Sequence, residues 1–283
     1  MPPISEMIND VASWSELGEP LEKARDACTR LRFHEGLRRR IPEAAAESRV
    51  RGAHASAALD GARGDLDYFR NLARGAATWP ATTDPAVHAM RGAVLATFEA
   101  EHAAKIAASA PMQALARLHV AAASPMLPPE QVGRPRMAGE SCGELTDIGP
   151  APEAALVPEA MRGIVGAMKI EHAPALVVAA LVHGEILRVR PFVRGNSLVA
   201  RALERALIIS RGLDPTAVCV PEVGHHRAGA TAYLGAATAY AQGSREGIAI
   251  WVEHCAGAVV AAAAEGEAIA DAVRAGKLPD RER

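Results

Sequence analysis

The sequence predicts an all-α protein, and three observations predict it. Apolar residues recur at helical spacing along most of the chain. Strands and helices nowhere alternate, and no internal repeat is visible. The turn formers are concentrated in one stretch, residues 124–152, which holds Pro125, Pro128, Pro129, Pro135, Pro150, Pro152 and four glycines. That density reads as loops with one short β-hairpin rather than as the regular punctuation of a β-protein.

Taken in order, residues 17–75 read as helices with charged faces. In 84–109, Val87, Met90, Val94, Leu95, Phe98 and His102 fall near helical spacing. Residues 112–122 continue the pattern, then the turn-rich stretch interrupts it. Helices follow over 158–169 and 174–189. Another runs from Leu198 to Arg211 and stops at Gly212, a good C-terminal stop. The chain finishes with helices over about 226–242 and 245–275 and a charged tail.

Composition is that of an ordinary soluble chain, 49% hydrophobic and 23% charged, with only 4% aromatic residues. Much of the apolar content is alanine, so the core is expected to rest on many small contacts. A chain of 283 residues is long enough for one sizeable core. The net charge of −2 speaks against general nucleic-acid binding. Cys28, Cys142, Cys219 and Cys255 form no Cys-x-x-Cys pair, which disfavours a zinc knuckle and fits a reducing, cytoplasmic setting. The N-terminus lacks a basic start and an apolar run. The most apolar stretches, 174–182 and 256–264, are too short to span a bilayer. Neither nucleic acid nor membrane is an expected partner.

The chemistry concentrates in Arg190-Pro191-Phe192-Val193-Arg194-Gly195-Asn196-Ser197-Leu198-Val199-Ala200-Arg201. This segment resembles the signature loop of the Fic (Fido) family, His-Pro-Phe-x-(Asp/Glu)-Gly-Asn-Gly-(Arg/Lys)-x-x-Arg. Ala179, His183 and Val189 match the helix that leads into that loop. Tyr233 and Trp251 resemble aromatic residues of the family's closing helices. Gly133-Arg134-Pro135-Arg136 resembles the Gly-x-x-Arg element before its flap. The resemblance implies a Fic-type helical core over 81–265, a β-hairpin flap, an N-terminal helical extension over 1–80 and a charged tail over 266–283. Ser56-Ala57-Ala58-Leu59-Asp60-Gly61 resembles the family's inhibitory motif, with aspartate for glutamate. By that resemblance Asp60 pairs with Arg201.

The resemblance also implies lost chemistry. Arg190 stands at the position of the family's histidine, the general base that deprotonates a target hydroxyl. A guanidinium, with a pKa above 12, cannot accept that proton. Arg194 stands at the position of the Mg²⁺-binding acid, and a cation there repels the metal. Ser197 replaces a glycine and Leu198 a phosphate-binding basic residue. Gly195, Asn196, Ser197 and Arg201 remain as candidates for binding a nucleotide or another anion, such as ATP held without Mg²⁺, through N–H groups at a helix start.

The expectation is a Fic-like protein that lacks AMP transfer and acts as a binding or regulatory module. A partner's extended segment would add to the flap at 136–148. The alternative is an active AMP transferase acting on protein hydroxyls, with a substitute base in His183, Glu140, Glu144 or Asp147. A third is a structural component whose surface alone matters. For Arg190 and Arg194 two readings stand: an anion clamp, or solvated arginines. For Asp60 with Arg201 they are retained autoinhibition or a structural ion pair. His183 reads as a helix histidine satisfied by a side-chain or backbone partner. His225 and His226 read as capping or surface residues, no metal ligand set being evident.

Overall fold

A computed structural model describes residues 3–278. Its elements are α1 (Ile4–Ala12), α2 (Ser15–Arg32), α3 (Ile41–Leu59), α4 (Leu66–Arg74), α5 (Pro85–Ile106), α6 (Pro111–Ala123), α7 (Val157–Lys169), α8 (Ala175–Val189), α9 (Asn196–Ser210), α10 (Pro221–Ala228), α11 (Ala230–Ala241) and α12 (Arg245–Arg274), with four short 3₁₀ turns. The all-α expectation holds, and among the described residues there is no strand.

The helix α8 is buried on every side. All its residues from Leu176 to Leu187 are buried, which is the pattern of a central helix rather than an amphipathic surface one. Next to it lies α9, buried from Asn196 to Ile208. Helices α5 and α6 pack over α9, α7 and α11 flank α8, and α3 bridges α5 and α10. The long α12 crosses α2, α10 and α11 and touches α8. By length and composition α12 could cross a membrane, yet more than half of its apolar window is buried within the protein. Close helix crossings use small residues. A Cβ at Gly92 would lie 2.3 Å from the Ala122 carbonyl oxygen, and one at Gly224 only 1.9 Å from that of Ala258.

Four details depart from the sequence reading. Helix α1 was not anticipated; Ile4, Met7, Ile8 and Val11 form its buried stripe. The helix expected over about 226–242 is two, α10 and α11, parted at Gly229 with φ 94° and ψ 145°, a region that only glycine adopts freely. The boundary placed at 265 falls inside α12, where Ile269, Ala270 and Val273 are buried; residues 279–283 of the expected tail lie outside the described residues. The β-hairpin over 136–148 is not formed. Side chains hold that segment in turns instead: Glu140 accepts from Arg134 and from the Met137 N–H, and Arg190 takes the Glu144 and Leu145 carbonyls, with Gly149 just beyond.

Gly224→Ala tests the tight α10–α12 crossing. Backbone cannot retreat as a flexible side chain would, so the variant should lose about 1–3 kcal/mol, read as a lower urea midpoint. A midpoint equal to wild type would show that the crossing has room.

Candidate functional site at the start of α9

Helix α8 ends at Arg190, which takes the left-handed conformation, φ 47° and ψ 65°, uncommon for a residue other than glycine. The chain then turns through Pro191–Gly195. Phe192 is buried against the ring of His119, with centroids 3.9 Å apart and planes nearly parallel. The Asn196 side chain closes the turn: Oδ1 accepts the Phe192 N–H at 2.9 Å, and Nδ2 donates to the Phe192 carbonyl at 3.0 Å. Gly195, at φ 84°, supplies the positive φ the turn demands. Ser197 lies within α9 and outside the positive-φ residues, so its Cβ meets no backbone penalty. The cap of α9 is Gly195, and no side chain of the loop caps it.

The cap comes from the flap. One Glu144 carboxylate oxygen accepts the Gly195 N–H at 2.7 Å. The other accepts the Asn196 N–H at 3.1 Å and Asn196 Nδ2 at 2.9 Å. The N–H groups that the sequence offers to a nucleotide or another anion are taken here by the protein's own carboxylate. A carboxylate suits the place for the reason a phosphate would: unpaired N–H groups and the positive end of the helix dipole meet there.

Arg190 fits neither reading given to it. It is buried, and its guanidinium donates to the carbonyls of Glu144, Leu145, Gly149 and Pro150 at 2.7–3.3 Å. Burial lowers its pKa from the ordinary value, but an arginine still holds its proton at neutral pH. Arg136 is buried beside it. Its Nε donates to the Arg190 carbonyl at 2.8 Å, and its N–H donates to the Pro191 carbonyl at 2.8 Å. Two guanidiniums thus fasten the flap onto the end of α8. Arg194 is exposed and makes no ion pair with a described residue, as the solvated reading has it.

The inhibitory-like segment reaches the loop. Arg201 Nη2 lies 2.9 Å from Asp60 Oδ1, and the Ser197 hydroxyl donates to Asp60 Oδ2 at 2.8 Å. Arg201 also donates to the Ser56 hydroxyl and carbonyl, at 2.9 and 3.1 Å. The arginine is almost fully buried. Burial works against its charge, and Asp60 with Tyr233 outweighs it, so the pKa is raised. Arg201 is buried but the Asp60 side chain stays 21% exposed, so solvent screens the pair from one side and it lies between a surface contact and a fully buried one. Deeper along α3, the Ser48 hydroxyl accepts from Arg205, which pairs with Glu222 at 2.7 Å, both fully buried. Helix α3 is therefore moored to α9 at two levels.

Of the four substitute bases Asp147 is exposed, and the other three are engaged elsewhere. His183 is wholly buried, bonded to Glu204 at 2.8 Å and to the Tyr233 hydroxyl at 2.7 Å, and burial lowers its pKa. Glu140 is held by Arg134, and by the Met137 N–H, down to about 2. Glu144 is committed to α9, and burial raises the pKa of Cys142 beside it. A cleft of about 580 Å³ opens next to the loop, walled by flap residues with Arg136 and Arg190. Gly195 and Asn196 do not line it, because Glu144 stands between.

Two histidines matter more than the sequence suggests. His225 is no capping or surface residue: it is fully buried and bonded to Glu204 at 2.7 Å and to His254 at 3.0 Å. Its partners are distant in sequence, so spacing gave no sign of them. His226 is exposed as expected. His119, unremarked in the sequence, accepts the Gly133 N–H on Nδ1 at 2.9 Å and donates from Nε2 to the Arg194 carbonyl at 3.1 Å. It ties the start of the flap to the loop.

No family model matches the chain, and no curated protein does. Solved structures do. The chain superposes on a Fic family protein from Desulfovibrio desulfuricans with a TM-score of 0.70 at 19% identity, covering 89% of this chain and 74% of that one. It superposes on Fic-1 from C. elegans with 0.63 at 17% identity, covering 94% and 73%. A Fic domain containing signaling protein from Bacteroides thetaiotaomicron gives 0.61 at 14%, covering 92% and 100%. The fold is a Fic-domain fold.

His119 makes a pH prediction. Burial, with Arg134 adding to it against the Arg194 carbonyl bond, takes its pKa down to about 4, whereas an unfolded histidine titrates near ~6.5. Between those values the unfolded chain holds the extra proton, so acidification favours unfolding. His119→Gln should lose less stability than wild type between pH 7 and pH 4, by roughly 3 kcal/mol. Parallel stability curves for the two proteins over that range would refute this assignment.

Proposed function

We propose that this protein is a Fic-fold binding or regulatory module without AMP transferase activity, its phosphate site closed from within. The observation that carries the proposal is Glu144, whose carboxylate takes the Gly195 and Asn196 N–H groups at 2.7 and 3.1 Å. By resemblance these are the groups that would receive nucleotide phosphate. Arg190 supports the reading from the other side of the reaction. Where hydroxyl activation needs a proton acceptor, it offers a guanidinium already bonded to four carbonyls.

A phosphate entering this loop must first displace a carboxylate holding three hydrogen bonds. It would then meet Asp60, which already occupies Ser197 and Arg201. Two internal carboxylates, one from the flap and one from α3, thus compete with any nucleotide. What the protein offers a partner is the flap surface over 136–148, where Met137 is 56% exposed. The backbone there is fixed by Arg136 and Arg190, so a partner binds a preformed surface and does not need to order it.

Wild-type protein incubated with labelled ATP, Mg²⁺ and a cell extract should transfer no label. Calorimetry should show ATP binding to Glu144→Ala at least about tenfold more tightly than to wild type, since the competing charge-assisted bonds are gone. Robust labelling by wild type that disappears in Arg201→Ala would overturn the proposal. So would equal ATP affinity of wild type and Glu144→Ala.

A further inference from the structure

Behind the loop, His183 of α8, Glu204 of α9 and His225 of α10 bring their side chains to one point. All three are wholly buried. His183 Nδ1 and His225 Nε2 both face the same oxygen, Glu204 Oε2, at 2.8 and 2.7 Å. The other oxygen, Oε1, is buried with no hydrogen-bond partner. As a plain hydrogen-bonded triad this is poorly balanced: two donors crowd one oxygen while its twin has none. A buried carboxylate with an unsatisfied oxygen is costly.

We infer that His183, Glu204 and His225 form a binding site for a divalent first-row transition-metal cation of the zinc type. Two imidazole nitrogens and a carboxylate are a donor set that such ions take. The three ligand atoms lie within 4.8 Å of one another. Tetrahedral bonds of about 2.0–2.1 Å place ligand atoms roughly 3.3 Å apart, so the two short separations widen slightly and the histidine nitrogens draw together. Oε1 of the same carboxylate, buried and without a hydrogen-bond partner, is available as a second oxygen for the cation.

The surroundings match as well. A metal-bound histidine has its other ring nitrogen held by a neighbouring group, which fixes the ring. Here His183 Nε2 lies 2.7 Å from the Tyr233 hydroxyl, and His225 Nδ1 lies 3.0 Å from His254 Nε2. The Trp251 ring packs edge-on to His183, at 5.0 Å between centroids. A cation here would pin α8, α9 and α10 together. It would sit one turn from Arg201 on α9 and two turns from Arg190 on α8, so its role is to hold the helices that present the loop.

The test uses the full chain. Protein stripped with chelator and dialysed is titrated with Zn²⁺ and, separately, with Co²⁺. Uptake is read by elemental analysis, Tm, and the visible absorption of bound Co²⁺. Wild type should take up one equivalent that survives gel filtration, gain Tm on Zn²⁺ addition, and give a Co²⁺ spectrum of nitrogen and oxygen ligation. Glu204→Gln and His225→Gln should lose that equivalent, while His226→Gln, at an exposed histidine, keeps it. If those core variants do not fold, His254→Ala carries the test, with affinity about 10–100-fold weaker. Wild type that retains no metal and shows no Tm change would overturn the inference. So would an equivalent kept undiminished in His225→Gln or His254→Ala.

Discussion

The N-terminus of α9 is where this protein's structure and its reading as a module meet. A helix start presents N–H groups with no partner inside the helix, and in a buried setting something must accept them. Here that acceptor is the Glu144 carboxylate. To deliver it, the flap must lie against the end of α8, and the rest of the region serves that placement. Arg190 and Arg136 collect flap and loop carbonyls, and His119 ties Gly133 to Arg194. Arg190 thus acts as a clamp between the end of α8 and the flap.

The same logic extends to α3. Asp60 reaches Ser197 and Arg201 one turn further along α9. The structural ion pair is what the structure displays: the bond moors the end of α3 to α9. Ser197 contributes to this. A glycine at that position could not donate to Asp60, so the serine adds a bond between α3 and the loop.

Much of the fold was legible in the sequence. Long segments with clear periodicity, such as α5, α8, α9 and α12, appear where the pattern places them. The signature segment gave the fold even though its charged residues differ from the family pattern, because Pro191, Phe192, Gly195 and Asn196 shape the turn and those were intact. What escaped was non-local. The flap forms turns and no hairpin because the Arg190 guanidinium, from the end of α8, takes the Glu144 and Leu145 carbonyls. The sequence offers Glu144 only as a substitute base, since nothing in its neighbourhood shows that it meets Gly195. His225 drew no weight because Glu204 and His183 are distant along the chain. The break at Gly229 was hidden by apolar spacing that continues across it.

Glu144 holds the N–H groups at the start of α9, and under the proposed function it keeps them from a nucleotide. A crystal of the wild-type protein soaked at high ATP concentration tests it directly. The Glu144 carboxylate should remain on the Gly195 and Asn196 N–H groups, with no phosphate density at the helix start. A phosphate seated on those two N–H groups, with Glu144 swung away, would contradict it.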